Sequence, residues 1–134
     1  MSTKRIIETH REIRAVLDRL ARSCDLPEVC AILGDLGSLL PPHFADEERS
    51  DGFFARVVSE NPNLDSRVCS LQRQHTDITA DVASLESDVR DYLERAVARF
   101  FARRDALVEL LRAHEDAENS LVMDAFLTDL GGSE

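Results

Sequence analysis

The sequence predicts an all-α protein, an up-down-up-down four-helix bundle, and two observations support this prediction. Glycine and proline are scarce, with 5 and 4 among 134 residues, whereas strong helix formers such as Leu, Ala, Glu and Arg are abundant. Apolar residues also recur at intervals of three and four along most of the chain, which is the spacing of one face of an α-helix. The length suits one hydrophobic core, so we expect residues 1–134 to form a single domain.

The first predicted helix covers about residues 3 to 22. Its apolar stripe consists of Ile6, Ile13, Leu17 and Leu20. The stretch "CDLP" at 24–27 ends this helix and starts the next one. Asp25 suits an N-cap because its side chain can accept a hydrogen bond from the first turn, and Pro27 suits an early helical position because it needs no hydrogen-bond donor there.

The second predicted helix carries a proline pair directly before a histidine. Its stripe consists of Leu33, Leu36 and Leu40, with Phe54 further along. Proline inside a helix removes a backbone hydrogen bond. We therefore expect the helix to bend or restart at Pro41 and Pro42. This change of direction would come directly before His43 and would orient it toward a site. The stretch "ENPN" at 60–63 ends the segment.

The remaining half of the chain has helical spacing but no marked turn. The third stripe consists of Val68, Leu71, Ile78, Val82, Leu85 and Val89, and the fourth of Leu107, Leu111, Leu121 and Ala125, before "GGSE" closes the sequence. Residues 64 to 130 contain neither glycine nor proline. A single helix of that length would measure about 100 Å and could not close a compact domain. We therefore expect a turn between about residues 86 and 98.

Composition excludes several classes of partner. The formal net charge of −10 would repel nucleic acid and anionic membranes, so neither is expected as a partner. No apolar run approaches the ~18 residues of a membrane-spanning helix. The N-terminal stretch lacks the apolar segment of a secretory signal, so we expect a cytoplasmic protein. Cys24, Cys30 and Cys69 lack metal-binding spacing and are expected to be reduced and partly buried.

Six polar residues extend the apolar stripes. They are His10, His43, Glu47, His75, His114 and Glu118. His43 and Glu47 form an H-x3-E pair, and His114 and Glu118 repeat it. A lone pair of this kind is usually a surface ion pair. Buried carboxylates, however, are costly unless they are paired or bound to metal, so six such residues on four inward stripes indicate a metal site.

The spacing of the four histidines places them at one height of a bundle. Residues at one height on neighbouring antiparallel helices lie symmetrically about the intervening turn. The midpoint between His10 and His43 falls in "CDLP", and that between His43 and His75 falls at residue 59, beside "ENPN". The midpoint between His75 and His114 falls near residue 94, within the expected turn.

The donor set favours two iron ions over structural zinc. Imidazole and carboxylate without thiolate suit iron or manganese, and two carboxylates able to bridge suit a pair of ions. Ferritin-like di-iron bundles use E-x2-H, which does not occur in this sequence.

The pattern resembles the hemerythrin-like, or HHE cation-binding, family. The stretches that carry the resemblance are "ETHREI", "LLPPHFADEE", "QRQHTDI" and "LLRAHEDAENSLV". The resemblance implies that the six polar residues are ligands of a non-haem di-iron centre. It further implies an oxo or hydroxo bridge, with Glu47 and Glu118 as bridging carboxylates; manganese is an alternative metal. The arrangement is closer to the H…H-x3-E…H…H-x3-E subgroup than to oxygen carriers, whose third helix has H-x3-H where this chain has Thr79.

This difference from the oxygen carriers bears on function. Two octahedral ions offer about 12 coordination positions. This ligand set and a bridging oxygen leave about two of them open, whereas a fifth histidine would leave about one. Asp46, Glu48 or Asp77 could supply an additional ligand. The resemblance thus implies a protein that binds or reacts with O2 or hydrogen peroxide, with catalase-like activity as the enzymatic hypothesis. The alternatives are an iron, oxygen or nitric oxide sensor acting through a protein partner, and a metal-free helical interaction module. A homo-oligomer is compatible with each.

Overall fold

In the computed structural model, which describes residues 3–127, helices account for nearly all of the chain. In order they are α1 (Thr3–Arg22), α2 (Leu26–Glu48), α3 (Phe53–Glu60), a 3-10 turn (Pro62–Leu64), α4 (Asp65–Val122) and a π-helical turn (Met123–Leu127). No strand occurs among these described residues, so the all-α prediction is confirmed. None of the described helices is both long and apolar enough to cross a membrane. The "GGSE" end lies outside the described residues.

The break between α1 and α2 is the one that the sequence predicts. Asp25 occupies the N-cap position of α2 in an extended conformation, and Pro27 lies in its first turn. The N-cap side chain makes no capping hydrogen bond. The boundary therefore depends on the proline, whose missing N–H would have no partner in the first turn anyway.

Helix α2 does not restart at its proline pair. Pro41 and Pro42 lie inside α2, which continues to Glu48. The helix persists because the residues on both sides of the pair share one buried face, from Leu36 and Leu40 to His43 and Glu47. Burial of that face offsets the two backbone hydrogen bonds that the prolines cannot donate.

The chain breaks instead at residues 49–52, one turn after the H-x3-E pair of α2. The Gly52 N–H donates a 2.8 Å hydrogen bond to the Arg49 carbonyl, closing a tight turn. A Cβ atom at Gly52 would overlap the carbonyl oxygens of Asp46 and Glu47. Only glycine allows this close approach, which ends α2 and lets α3 begin at Phe53.

The predicted turn between residues 86 and 98 is wrong for this structure. Every residue of that range is helical, within a helix of 58 residues, α4. The physical reason is local: the segment contains no residue that breaks a helix, and Ala, Leu, Glu and Arg within it favour one. Residues 86–98 contain no glycine or proline, and the expected turn followed only from the need for a compact domain.

The described chain divides into two compact units, the first ending at Leu93 and the second beginning at Glu94. In the first unit Leu33, Leu36 and Leu40 form the core, against which Ile13, Leu20, Val82 and Val89 pack. In the second unit every described side chain from 97 to 126 is exposed. The core that positions functional residues is therefore the core of the first unit.

Candidate metal centre

Four of the six predicted ligands meet in the first unit. His10 lies on α1, His43 and Glu47 on α2, and His75 on α4; we call these four residues the N-terminal cluster. His43 and Glu47 are the two buried polar residues of the described chain, with 4 % and 5 % exposure. They face inward because they continue the buried stripe of Leu36 and Leu40 at helical spacing.

The nitrogen and oxygen atoms of the N-terminal cluster converge. The Nε2 atoms of His10 and His43 are 3.1 Å apart, and His43 Nε2 lies 2.9 Å from Glu47 Oε1. Ligand atoms of His10, His43 and Glu47 all lie within 4.8 Å of one another. His75 Nε2 lies 3.5 Å from Glu47 Oε1. Three imidazoles thus point one nitrogen each at a single carboxylate.

The spacing of these atoms fits a metal ion. A ligand nitrogen lies about 2.1 Å from a first-row divalent ion, which puts neighbouring ligand atoms about 3 Å apart in an octahedron. The distances of 3.1 Å and 2.9 Å match that separation. The two oxygens of Glu47 also face different histidines, since Oε2 lies 3.8 Å from His10 Nε2 whereas Oε1 is the atom nearer His75. That division suits a carboxylate that bridges two ions.

Burial favours the uncharged forms of Glu47, His43 and His10 in the metal-free protein. It raises the pKa of Glu47 to about 7, and the nearby charge of Glu48 adds to the rise. Burial also lowers the pKa of His43, assisted by His10 and His75 and opposed by Asp46. The pKa of His10 is lowered by burial and then by Arg14. Burial favours the protonated form of Glu47. A cation at this position would favour the carboxylate form instead, because a positive charge stabilises a nearby negative one.

One polar atom of the cluster is buried without a partner. Among the described residues nothing hydrogen-bonds to His43 Nδ1. Leaving such an atom unpaired costs about 1–3 kcal/mol. It leaves Nε2, the nitrogen facing His10 and Glu47, as the interacting atom of this ring.

The ring of His75 is held on three sides by residues that the sequence argument did not assign to it. Phe44 stacks on one face at a centroid distance of 3.8 Å, and Phe54 also stacks on the ring at 5.4 Å. Glu48 Oε1 lies 3.3 Å from His75 Nδ1. When Nδ1–H donates a hydrogen bond to a carboxylate, Nε2 is left free to bind metal, which is a common support for ligand histidines.

The sequence contained partial signals for these supporting residues. Glu48 follows Glu47 directly, which from sequence alone suggests an additional metal ligand, whereas in the structure it contacts the ring of His75. Phe44 and Phe54 read from sequence as ordinary core residues. Thr79, which stands where the oxygen carriers have a fifth histidine, donates its hydroxyl to the His75 carbonyl at 2.8 Å. That hydroxyl is therefore engaged with the backbone.

The other two predicted ligands lie in the second unit. His114 and Glu118, the C-terminal pair, contact each other as an i,i+4 ion pair on α4, and both side chains are 64 % exposed. The apolar residues beside them on the helix, such as Leu111 and Leu121, are exposed as well. The assignment of His114 and Glu118 as metal ligands stays a prediction.

The cysteines only partly follow expectation. All three are free thiols, but Cys24 and Cys69 are exposed and only Cys30 is partly buried. Cys24 lies in the break before α2, where no core covers it.

Comparison with known families agrees with this site. Residues 1–126 match the family described as Hemerythrin HHE cation binding domain. This match covers nearly the whole chain, and the chain therefore belongs to the hemerythrin HHE cation-binding domain family. Comparison with curated proteins and with solved structures returned no match. Membership of the family and the converging histidine–glutamate group together make this a cation-binding protein.

Proposed function

We propose that this chain is a non-haem di-iron protein that binds O2 or hydrogen peroxide and consumes peroxide in a catalase-like reaction. The observation that carries the proposal is the convergence of three histidine Nε2 atoms on the buried carboxylate of Glu47. The family match supports the cation-binding part. When bound, a pair of iron ions would supply redox chemistry and coordination positions for a small oxygen ligand.

In this proposal all six predicted ligands hold the metal. The N-terminal cluster contributes His10, His43, His75 and the bridging Glu47, and the C-terminal pair contributes the remaining imidazole and carboxylate. The donor set contains nitrogen and oxygen only, which favours iron or manganese over zinc held by thiolates. We further propose that residues 1–134 act as one functional domain in the cytoplasm.

The residues around the cluster would bind and orient a small ligand. A cleft of about 540 Å³ reaches His10, His43, Glu47 and His75 and is otherwise lined largely by apolar side chains such as Leu40 and Phe54. An apolar lining strengthens electrostatic interactions at the cluster because it excludes bulk water. Such a cleft admits an uncharged molecule of the size of O2 or hydrogen peroxide without offering competing hydrogen bonds along most of its wall.

Reconstitution with ferrous iron tests this proposal directly. We expect about two irons per chain, the number that two bridging carboxylates and four imidazoles can hold, and a visible absorption in air that is typical of a di-ferric centre. Oxygen release after addition of peroxide would demonstrate turnover. A chain that binds no stoichiometric metal would overturn the proposal. Metal binding without oxygen release would remove only its enzymatic part.

The matched variants are Glu47→Ala and Glu86→Ala. Glu47 belongs to the cluster, whereas Glu86 is a partly buried glutamate of the same unit that contacts Arg90. We expect Glu47→Ala to lower the metal content at least tenfold and Glu86→Ala to leave it unchanged, since removal of a buried bridging ligand affects both ions.

A further inference from the structure

We propose that His10, His43 and Glu47 form a complete site for one metal ion, which fills before a second ion binds and does not require the C-terminal pair. We call these three residues the first site. The inference rests on the proposed function, because it divides the binding of the proposed pair of ions into two unequal steps. It goes beyond that function by predicting a form of the protein that holds a single ion. Contacts within the first unit carry it.

The ligand atoms of the first site already have the spacing that one ion requires. His10 Nε2 lies 3.1 Å from His43 Nε2, which lies 2.9 Å from Glu47 Oε1. Glu47 Oε2 lies 3.8 Å from His10 Nε2. Among the residues that the structure describes, no other group of three histidine, cysteine, aspartate or glutamate side chains is arranged to hold a metal ion. Two imidazoles and one carboxylate are also the protein ligands of a large class of mononuclear non-haem ferrous sites.

The core of the first unit holds the first site in place. His43 and Glu47 are buried, lie one helical turn apart on α2 and continue the buried face of that helix. His10 lies on α1 one turn before Ile13, which packs against the core. Folding therefore orders all three side chains before an ion arrives. Ligands that are already ordered lose little further freedom on binding, which favours the affinity of this site.

His75 is placed differently from the other two histidines of the N-terminal cluster. Its Nε2 lies 3.5 Å from Glu47 Oε1, but His75 is not a member of the three-residue group. Phe44, Phe54 and Glu48 fix the position of its ring. A site at His75 would have one imidazole and one shared carboxylate from the cluster, and its remaining protein ligands would come from the C-terminal pair. Because affinity depends on the number and charge of the ligands, we expect this second site to be weaker.

Charge separates the two binding steps further. Glu47 is the only carboxylate among the four residues of the N-terminal cluster, so one divalent cation already leaves a net positive charge there. Two cations at the separation of about 3.5–4 Å that two-metal sites have repel each other. A further carboxylate must offset this repulsion, and in the proposed function Glu118 supplies it. The first step therefore needs the first site alone, whereas the second step needs the C-terminal pair as well.

This order of binding defines a form with one ion. An ion with three protein ligands retains about three coordination positions for water or another small ligand. As the concentration of free metal rises, the protein passes from empty through the one-ion form to the two-ion form. The catalase-like reaction is proposed for the pair of ions, so it should begin only when the second step is reached.

Calorimetric titration with ferrous iron under anaerobic conditions tests the two steps. We expect the wild type to bind about one iron per chain in a first step and a second iron at least tenfold more weakly. Combined His114→Ala and Glu118→Ala substitutions should leave the first step unchanged and abolish the second. A single step for both irons in the wild type, or loss of both irons in the double variant, would overturn the inference.

Substitutions in the N-terminal cluster identify which residues form the first site. We expect His10→Ala to weaken the first step at least tenfold, whereas Glu12→Ala, at an exposed position of the same helix, should leave both steps unchanged. His75→Ala should keep the first step and abolish the second. Retention of the first step in His10→Ala, or its loss in His75→Ala, would refute the assignment. Circular dichroism checks that each variant is helical, and His10→Gln, which keeps most of the side-chain volume, is the second variant at that position.

Electron paramagnetic resonance with manganous ion, which suits the same ligands, separates this inference from the proposed function. A single equivalent should give the signal of an isolated ion, and further manganese should weaken the signal per ion because neighbouring ions couple magnetically. Coupling from the first addition onward would overturn the inference and leave the two-ion proposal standing. An isolated signal that persists in excess manganese, with no second ion bound, would overturn the proposed pair of ions while confirming the first site.

Discussion

At the scale of single residues, the buried carboxylate of Glu47 controls the N-terminal cluster. It contacts three histidines from three helices and is only 5 % exposed. Burial raises its pKa to about 7 from an ordinary value of 4.5. Without metal, folding at neutral pH therefore has to keep a proton on Glu47 or accommodate a buried charge, and both reduce stability.

Replacement of Glu47 by glutamine should stabilise the metal-free protein at alkaline pH. The folded state holds the Glu47 proton up to about pH 7, whereas the unfolded state loses it near pH 4.5. The wild type therefore loses stability as pH rises through that window, by about 3 kcal/mol in all. Urea unfolding in the presence of a chelator should show Glu47→Gln gaining on the wild type between pH 5 and pH 8.

Protonation of the histidines changes stability with pH in the opposite sense to Glu47, so a control variant is needed. The lowered pKa values of His10 and His43 reduce stability as pH falls below about 6.5, where these residues are protonated in the unfolded state. Because both rings contact Glu47, this contribution is not identical in wild type and variant, but it has the opposite sign to the effect of the Glu47 proton and acts only below about pH 6.5. Glu118→Gln removes an exposed carboxylate and should show no such gain. A constant difference between Glu47→Gln and wild type across the range would contradict the assignment.

The contact between Glu48 and His75 gives a second residue-level prediction. Glu48 Oε1 lies 3.3 Å from Nδ1 of His75, whose other nitrogen faces Glu47. We expect Glu48→Gln to weaken metal affinity by about 10- to 100-fold, the usual effect of losing a carboxylate that orients a ligand histidine. Metal titration by competition with a chelator would measure it. Glu60→Gln, an exposed glutamate at the end of α3, is the control, and equal affinities for the two variants would refute the role of Glu48.

At the scale of elements, α2 positions half of the N-terminal cluster. One face of this helix carries the core residues and then His43 and Glu47 without interruption. Pro41 and Pro42 lie within α2, directly before His43, and remove two backbone hydrogen bonds. The turn at residues 49–52, which depends on Gly52, then ends α2 so that α3 brings Phe54 to the ring of His75.

Removal of a proline from α2 should therefore stabilise the helix. We expect Pro41→Ala to raise the free energy of unfolding of the metal-free protein by about 1–3 kcal/mol, because alanine restores the backbone donor and has the highest helix propensity. Thermal unfolding with a chelator present would measure the change. Pro27→Ala is the matched control, since Pro27 lies in the first turn of α2 where proline is tolerated. A larger gain from Pro27→Ala than from Pro41→Ala would contradict this account.

At the scale of the whole molecule, the proposed function draws on residues from both units of the chain. The first unit contains the buried cluster, and the second contains the exposed C-terminal pair. Metal that binds only the folded protein must therefore stabilise it by mass action.

Metal removal tests this linkage. At a free metal concentration of 100 times the dissociation constant, binding contributes about 3 kcal/mol to the free energy of unfolding. We expect a chelator to lower the thermal midpoint of the wild type by several degrees and to leave that of Glu47→Ala unchanged. Equal shifts in the two proteins would show that the metal acts elsewhere.

Local patterns in the sequence were sufficient to predict the all-α class, several helix ends and the four residues that converge in the N-terminal cluster. The breaks at "CDLP" and "ENPN" follow from proline and capping residues, and α1 begins and ends where its stripe indicates. The identity of the N-terminal cluster also followed, because periodicity places His10, His43, Glu47 and His75 on the faces that carry apolar residues. These inferences need only helical geometry and the cost of burying a charge.

The tertiary structure decided where helices end without a local signal and which side chains support the ligands. Helix α2 continues past Pro41 and Pro42 because the residues after them bury surface against the core. The turn at Gly52 depends on the close approach of carbonyl groups at the end of α2. Phe44, Phe54 and Glu48 pack around His75. Helical periodicity predicts which face of a helix each residue occupies, but not that these residues on different helices contact one another.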